Sequence, residues 1–246
     1  MSAQEAAGAM SEPRLAHLAA EISELFQADQ KQMAEFNAAT SDDSELQAPY
    51  AKYKAEVLQT RDCFYDPFIV DLWVASEEHP PAAITTAHAF RERVNRRVRE
   101  IVDEHGWPRR KDVGDTAGIM FFFLFGHGDN DNEWRHTQLS NIDHVNQEDK
   151  LNPRLYGHMV DRLRAVALKP QLYGTIMGPG MEKGTAKLYV KTEFDEETTN
   201  EKRKAIGLAS IEEDLEKFRS GAQIGPYMTP MMGQPWDLSD GYRTTV

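Results

Sequence analysis

The chain has 246 residues, a formal net charge of −12 and 40% hydrophobic residues, with a mean hydropathy of −0.61: a globular balance, long enough for a substantial core. A surface this acidic disfavours nucleic-acid binding, which depends on neutralising phosphates. No stretch approaches the roughly 20 apolar residues of a membrane span, and a lone cysteine, Cys63, leaves no internal disulfide framework.

Residues 1–12 are small and polar and read as a disordered N-terminus. No basic segment followed by an apolar one stands there, so a cytoplasmic location is expected. Leu15, Leu18, Ile22, Leu25, Phe26, Met33 and Phe36 recur at helical steps and predict one apolar stripe. Residues 40–49 read as a loop and 50–59 as a short helix. Phe64, Tyr65, Phe68, Trp73 and Phe90 then crowd a stretch broken by Pro67, Pro80 and Pro81. Residues 40–90 thus read as an aromatic-rich insertion or cap. Core packing is the simpler role for its rings; a lid over a pocket is the alternative.

Phe90, Val94, Val98, Ile101 and Val102 mark a helix that Gly106, Trp107 and Pro108 end. Its arginines, Arg91 to Arg99, alternate with Glu92 and Glu100, as on a solvated face. Residues 115–126 (DTAGIMFFFLFG) suit a buried helix, with a buried strand as the alternative. Residues 133–148 and 153–168 have helical spacing, the second with Leu155, Met159, Leu163 and Val166 behind Pro153. A period of two over 171–177 and 185–194, around GPGMEKG, predicts a β-hairpin near residues 171–194. Residues 198–206 return to helix, and Ser210 with Glu213 forms a capping box for a last helix. Residues 221–246, with Met228, Met231, Met232 and Trp236, show no period and read as an irregular tail. The sum is a mainly α, compact helical domain over 1–246 with one β-hairpin.

Walker, GxGxxG, nucleophile-elbow, HExxH and CxxC signatures do not occur. Asp129, Asp131 and Glu133 fail as a calcium loop, because Trp134 and Ser140 occupy the positions that need Gly and Glu. His127, His136, His144 and His158 lack a metal-binding spacing. No metal and no cofactor is expected. The informative residues are polar ones beside apolar structure. His127 follows the buried run, and Asp161 and Arg162 lie about a turn after His158. Gln171, Tyr173 and Thr175 would share one face of the first hairpin strand. In a catalytic reading His127 is the acid or base and Asp161 its orienter. Tyr173 and Gln171 are the oxyanion donors, Arg162 is the anchor, and Thr175, Phe123 and Trp73 line the substrate. The other reading is a satisfied buried polar network.

Six short pieces occur in order, Gly106-Trp107-Pro108, Val113-Gly114, the segment from Phe123 to Asp129 around His127, Asp161-Arg162, Gln171 with Tyr173-Gly174-Thr175, and Arg203 with Gly207-Leu208, and Ala28-Asp29-Gln30 stands apart from them in the N-terminal helix. Their order resembles a bacterial family known as domain of unknown function 6624, over roughly residues 92–218. Gly126 and Ile176 depart from its pattern, and residues 40–90 and those after 220 look like additions. The family label implies no activity. The resemblance does imply that the polar set converges in one pocket. The expectation is a cofactor-independent acid/base enzyme on a small, largely apolar organic substrate, performing a cyclisation, isomerisation or elimination in specialised metabolism. The rivals are a protein-interaction module, in which insert and tail meet a partner or a second copy as a homodimer, and a metal-dependent hydrolase using His127.

Overall fold

The structure, a computed structural model, describes residues 14–41, 45–60, 70, 73–76, 79–127, 132–166, 169–179, 186–188 and 196–220. The N-terminal segment, Cys63, Phe64, Tyr65, Phe68, Asp129, Asp131 and the tail 221–246 lie outside those residues. The fold is mainly helical: α1 Ala16–Ala39, α2 Gln47–Thr60, α3 Ala82–His105, α4 Arg110–His127, α5 Asn132–Thr137, α6 Leu139–Asp149, α7 Pro153–Val166, α8 Glu196–Ile206 and α9 Ile211–Arg219. No described helix is long and apolar enough to cross a membrane.

The core forms where the predicted stripes meet. Leu18, Ile22 and Phe26 of α1 pack with Val94, Val98 and Ile101 of α3 and with Phe121 to Phe125 of α4. Residues 115–126 are helical rather than a strand, and Ile119 and Phe121 to Phe125 are all buried. An all-round apolar helix of this kind belongs at the centre of a fold. Gly114, at φ 82, kinks α4 near its start. Trp107 fills the turn between α3 and α4, its ring 4.9 Å from Phe125 and 5.3 Å from Phe121. Arg109 forks onto Asp149 with bonds of 3.0 and 2.9 Å, which ties the start of α4 to the end of α6.

A second, smaller cluster holds Tyr50, Val70, Trp73, Ile84 and Ala87, with Phe36 and Tyr53 against it. Trp73 stacks on Tyr53 at 5.1 Å and on Tyr50 at 6.0 Å. The described aromatics of the 40–90 segment therefore fill space between the ends of α1 and α3. Trp73 and Phe123, grouped from sequence as substrate-lining residues, fall in different clusters.

The predicted hairpin is not supported as read. Residues 171–176 form no ladder. A short antiparallel pairing joins only β1 Met177–Pro179 to β2 Ala186–Leu188, with Met177 opposite Leu188. The cause is local. The backbone N–H groups of Leu172, Tyr173, Thr175 and Ile176 bond to side chains instead of to a neighbouring strand.

Candidate functional site

The apolar stripe of α1 runs through Leu18, Ile22 and Phe26, and its next step is Asp29, also buried. A carboxylate in a core position needs a partner. It meets the last residue of α4: His127 Nδ1 lies 2.7 Å from Asp29 Oδ2, and the two side chains are 14% and 12% exposed. A carboxylate only accepts, so the imidazole donates from Nδ1. Gln30 Nε2 donates to the same Asp29 oxygen at 3.2 Å. Phe123, one turn before His127, lies 6.3 Å from its ring and 6.2 Å from Phe26.

Gly126 sets what stands next to this pair. A Cβ there would lie 2.8 Å from Met159 Cε and 4.0 Å from Arg162 Nη1. The bare backbone lets α7 close on the end of α4. It brings the buried guanidinium of Arg162 beside the residue preceding His127.

Asp161 does a different task from the one expected of it. Its carboxylate is fully buried and accepts from Leu172 N at 2.6 Å, Tyr173 N at 2.9 Å, and Thr175 N and Oγ1 at 2.8 Å each. Gln171 closes the same loop, its amide oxygen accepting from Ile176 N at 2.8 Å and its nitrogen donating to Ile176 O at 3.1 Å. Asp161, Gln171, Thr175 and the backbone of Tyr173 are thus brought together, as a carboxylate knotted into a loop. The orienting contact on His127 belongs to Asp29. The Tyr173 ring stands 6.0 Å from Tyr156, whose hydroxyl donates to Asp143 at 2.7 Å. Burial pushes the pKa of both phenols up.

The sequence reading missed a buried ion network behind that loop. Asp214 of α9 takes a guanidinium from Arg154 of α7 and another from Arg203 of α8. Arg203, fully buried, also donates to Tyr173 O and Ala209 O at 2.6 Å each. The capping box at Ser210 and Glu213 forms as expected and starts the helix that carries Asp214.

His158 lies on α7 between Arg154 and Arg162, one turn from each. Its Nδ1 is enclosed and has no hydrogen-bond partner, while the ring bonds the backbone of Thr175. Burial first, then the two guanidiniums, push its pKa down to about 3. In the unfolded chain the imidazole titrates near its ordinary value of 6.5. Between those values the unfolded state binds the extra proton, so folding stability should fall as pH drops from about 6.5 toward about 3, by up to ~1.4 kcal/mol per pH unit. Urea midpoints at pH 7.5, 6 and 5 will show that slope in the native protein and a flatter one in His158→Leu. Equal slopes would remove His158 from the acid response.

Among the described residues no group of three or more His, Cys, Asp or Glu side chains is arranged to hold a metal ion. Compared with protein-family models, with curated proteins and with solved structures, the chain matches none.

Proposed function

We propose that the protein is an acid/base enzyme acting on a small, largely apolar organic molecule, with His127 as the proton-transfer group and Asp29 as its positioning residue. The observation that carries this reading is the Asp29–His127 contact, made across 98 positions of sequence and mostly withdrawn from solvent. A carboxylate on Nδ1 holds the tautomer and steadies the imidazolium that forms when Nε2 takes a proton. Arg162, beside Gly126, supplies positive charge where an oxyanion would develop. Phe26, Phe123 and Met159 supply apolar surroundings. Proton removal followed by proton return at another atom gives an isomerisation; loss of a leaving group gives an elimination; attack by the carbanion within the same molecule gives a cyclisation. A cytoplasmic setting and membership of the family of domain of unknown function 6624 belong to the same proposal. The latter is supported by residues quoted for the resemblance that take part in these contacts: Asp29, His127, Asp161, Tyr173 and Arg203. The tail and most of the aromatic insert on which the interaction-module reading rests lie outside the described residues. Met33 is the one large apolar side chain that stands exposed among the described residues.

The test incubates purified protein with a small-molecule cell extract in D2O and reads the extract by chromatography and mass spectrometry. At least one compound should gain deuterium or change retention with the native protein. That change should vanish with His127→Gln and slow by about a hundredfold or more with Asp29→Asn. An extract left unaltered by the native protein, or altered equally by the variants, would end the proposal.

A further inference from the structure

We infer that Arg154, His158 and Arg162 form a subsite for a small oxyanion that also carries a hydroxyl group. The three residues recur every fourth position along α7 and so follow one side of the helix. Arg154 is 8% exposed at its side chain, and its Nη2 is engaged by Asp214, yet its Nη1 is buried with no hydrogen-bond partner. His158 Nδ1, one turn further on, is likewise enclosed and without a partner. Buried polar atoms left unmatched in a native fold call for a ligand, ion or water.

The two orphans are complementary. Arg154 Nη1 is a donor and needs an acceptor oxygen. With Nδ1 unpartnered, the contact of the His158 ring with the Thr175 backbone falls to Nε2, and we assign the proton to that nitrogen. Nδ1 is then a bare lone pair, and the guanidiniums on either side disfavour its protonation. It needs an O–H. One molecule meets both demands if it presents a charged oxygen to the guanidiniums and a hydroxyl to the imidazole. A hydroxy-carboxylate and hydrogen phosphate both do so; a plain carboxylate does not. Both orphaned atoms are shut from solvent, while His158 as a whole residue is only half-buried. Arg162 links this subsite to the His127 pair, but occupancy does not depend on proton transfer and is measured without turnover.

Histidine-ring NMR on the full chain, at constant ionic strength and pH 7, should be followed during addition of glycolate, hydrogen phosphate or acetate. The expected result is a saturable shift of the His158 ring signals by glycolate or phosphate, with a Kd of about 1 mM and acetate roughly tenfold weaker. Whichever of the two binds more tightly identifies the source of the oxyanion. His158→Leu, followed through the remaining histidine ring signals, should abolish the preference over acetate, and Arg162→Met should weaken all three by about tenfold. Arg154 is left in place, because Asp214 depends on it. Shifts that do not saturate below ~100 mM, an adventitious ion bound equally by both variants, or acetate binding as tightly as glycolate would each overturn the proposal. Because the native protein alone gives the decisive comparison, a variant that fails to fold leaves the test intact.

Discussion

Asp214→Ala should cost about 3–5 kcal/mol of folding stability, among the largest effects of any single substitution in the described residues. Asp214 is 1% exposed at its side chain and is the shared counter-ion of Arg154 and Arg203, themselves 8% and 0% exposed. Removing the carboxylate leaves two guanidiniums without it in an interior where they cannot hydrate. Arg203 keeps its bonds to the carbonyls of Tyr173 and Ala209, and Arg154 keeps none that reach α9. Urea unfolding should therefore show a lower midpoint, with early loss of the packing of α8 and α9. A midpoint within the equivalent of ~1 kcal/mol of the native protein would mean that the pairing contributes no more than an exposed ion pair does.

Asp161→Ala should be comparably severe, about 3–4 kcal/mol, for a different reason. Three backbone N–H groups and the Thr175 hydroxyl converge on one carboxylate. Without it they stay buried and unmatched, since residues 171–176 have no strand to turn to. Asp161→Asn should not rescue, because one carboxylate oxygen becomes an NH2 group facing N–H donors. Amide hydrogen exchange at Leu172, Tyr173 and Thr175 should rise in both variants; unchanged exchange there would refute the account. The carboxylate does not add to acid unfolding. Burial pushes its pKa up against the pull of those donors. A raised native pKa gives stability at low pH that is lost as pH rises, opposite in sign to His158.

The helices were legible because their apolar positions recur at helical steps over long spans. The stripe of α1 and the unbroken run from Ile119 to Phe125 each announced a buried element. The loop after α7 misled for a physical reason. Gln171, Tyr173 and Thr175 are buried while Leu172 and Ile176 are half-buried, and only Gly174, buried too, breaks the alternation a strand shows. Periodicity reports which side chains point inward; it is silent on what the backbone bonds to. Of the polar residues picked from sequence, Asp161, Gln171, Thr175 and the backbone of Tyr173 meet at the loop, where Asp161 serves the backbone rather than His127. Asp29 was legible only as a charge interrupting an apolar stripe, and no local pattern links it to an imidazole 98 positions away. The Arg154–Asp214 contact spans 60 positions and was equally invisible.

That last contact has a consequence for biosynthesis. Arg154 leaves the ribosome 60 residues before the carboxylate that neutralises it and Arg203 11 residues before, so burying either guanidinium is costly while α9 is still unmade. The second half of the nascent protein must stay open until its final described helix emerges, and then shut around one negative charge. A chain stopped ahead of residue 214 should therefore be less stable than the full one by at least what Asp214→Ala costs.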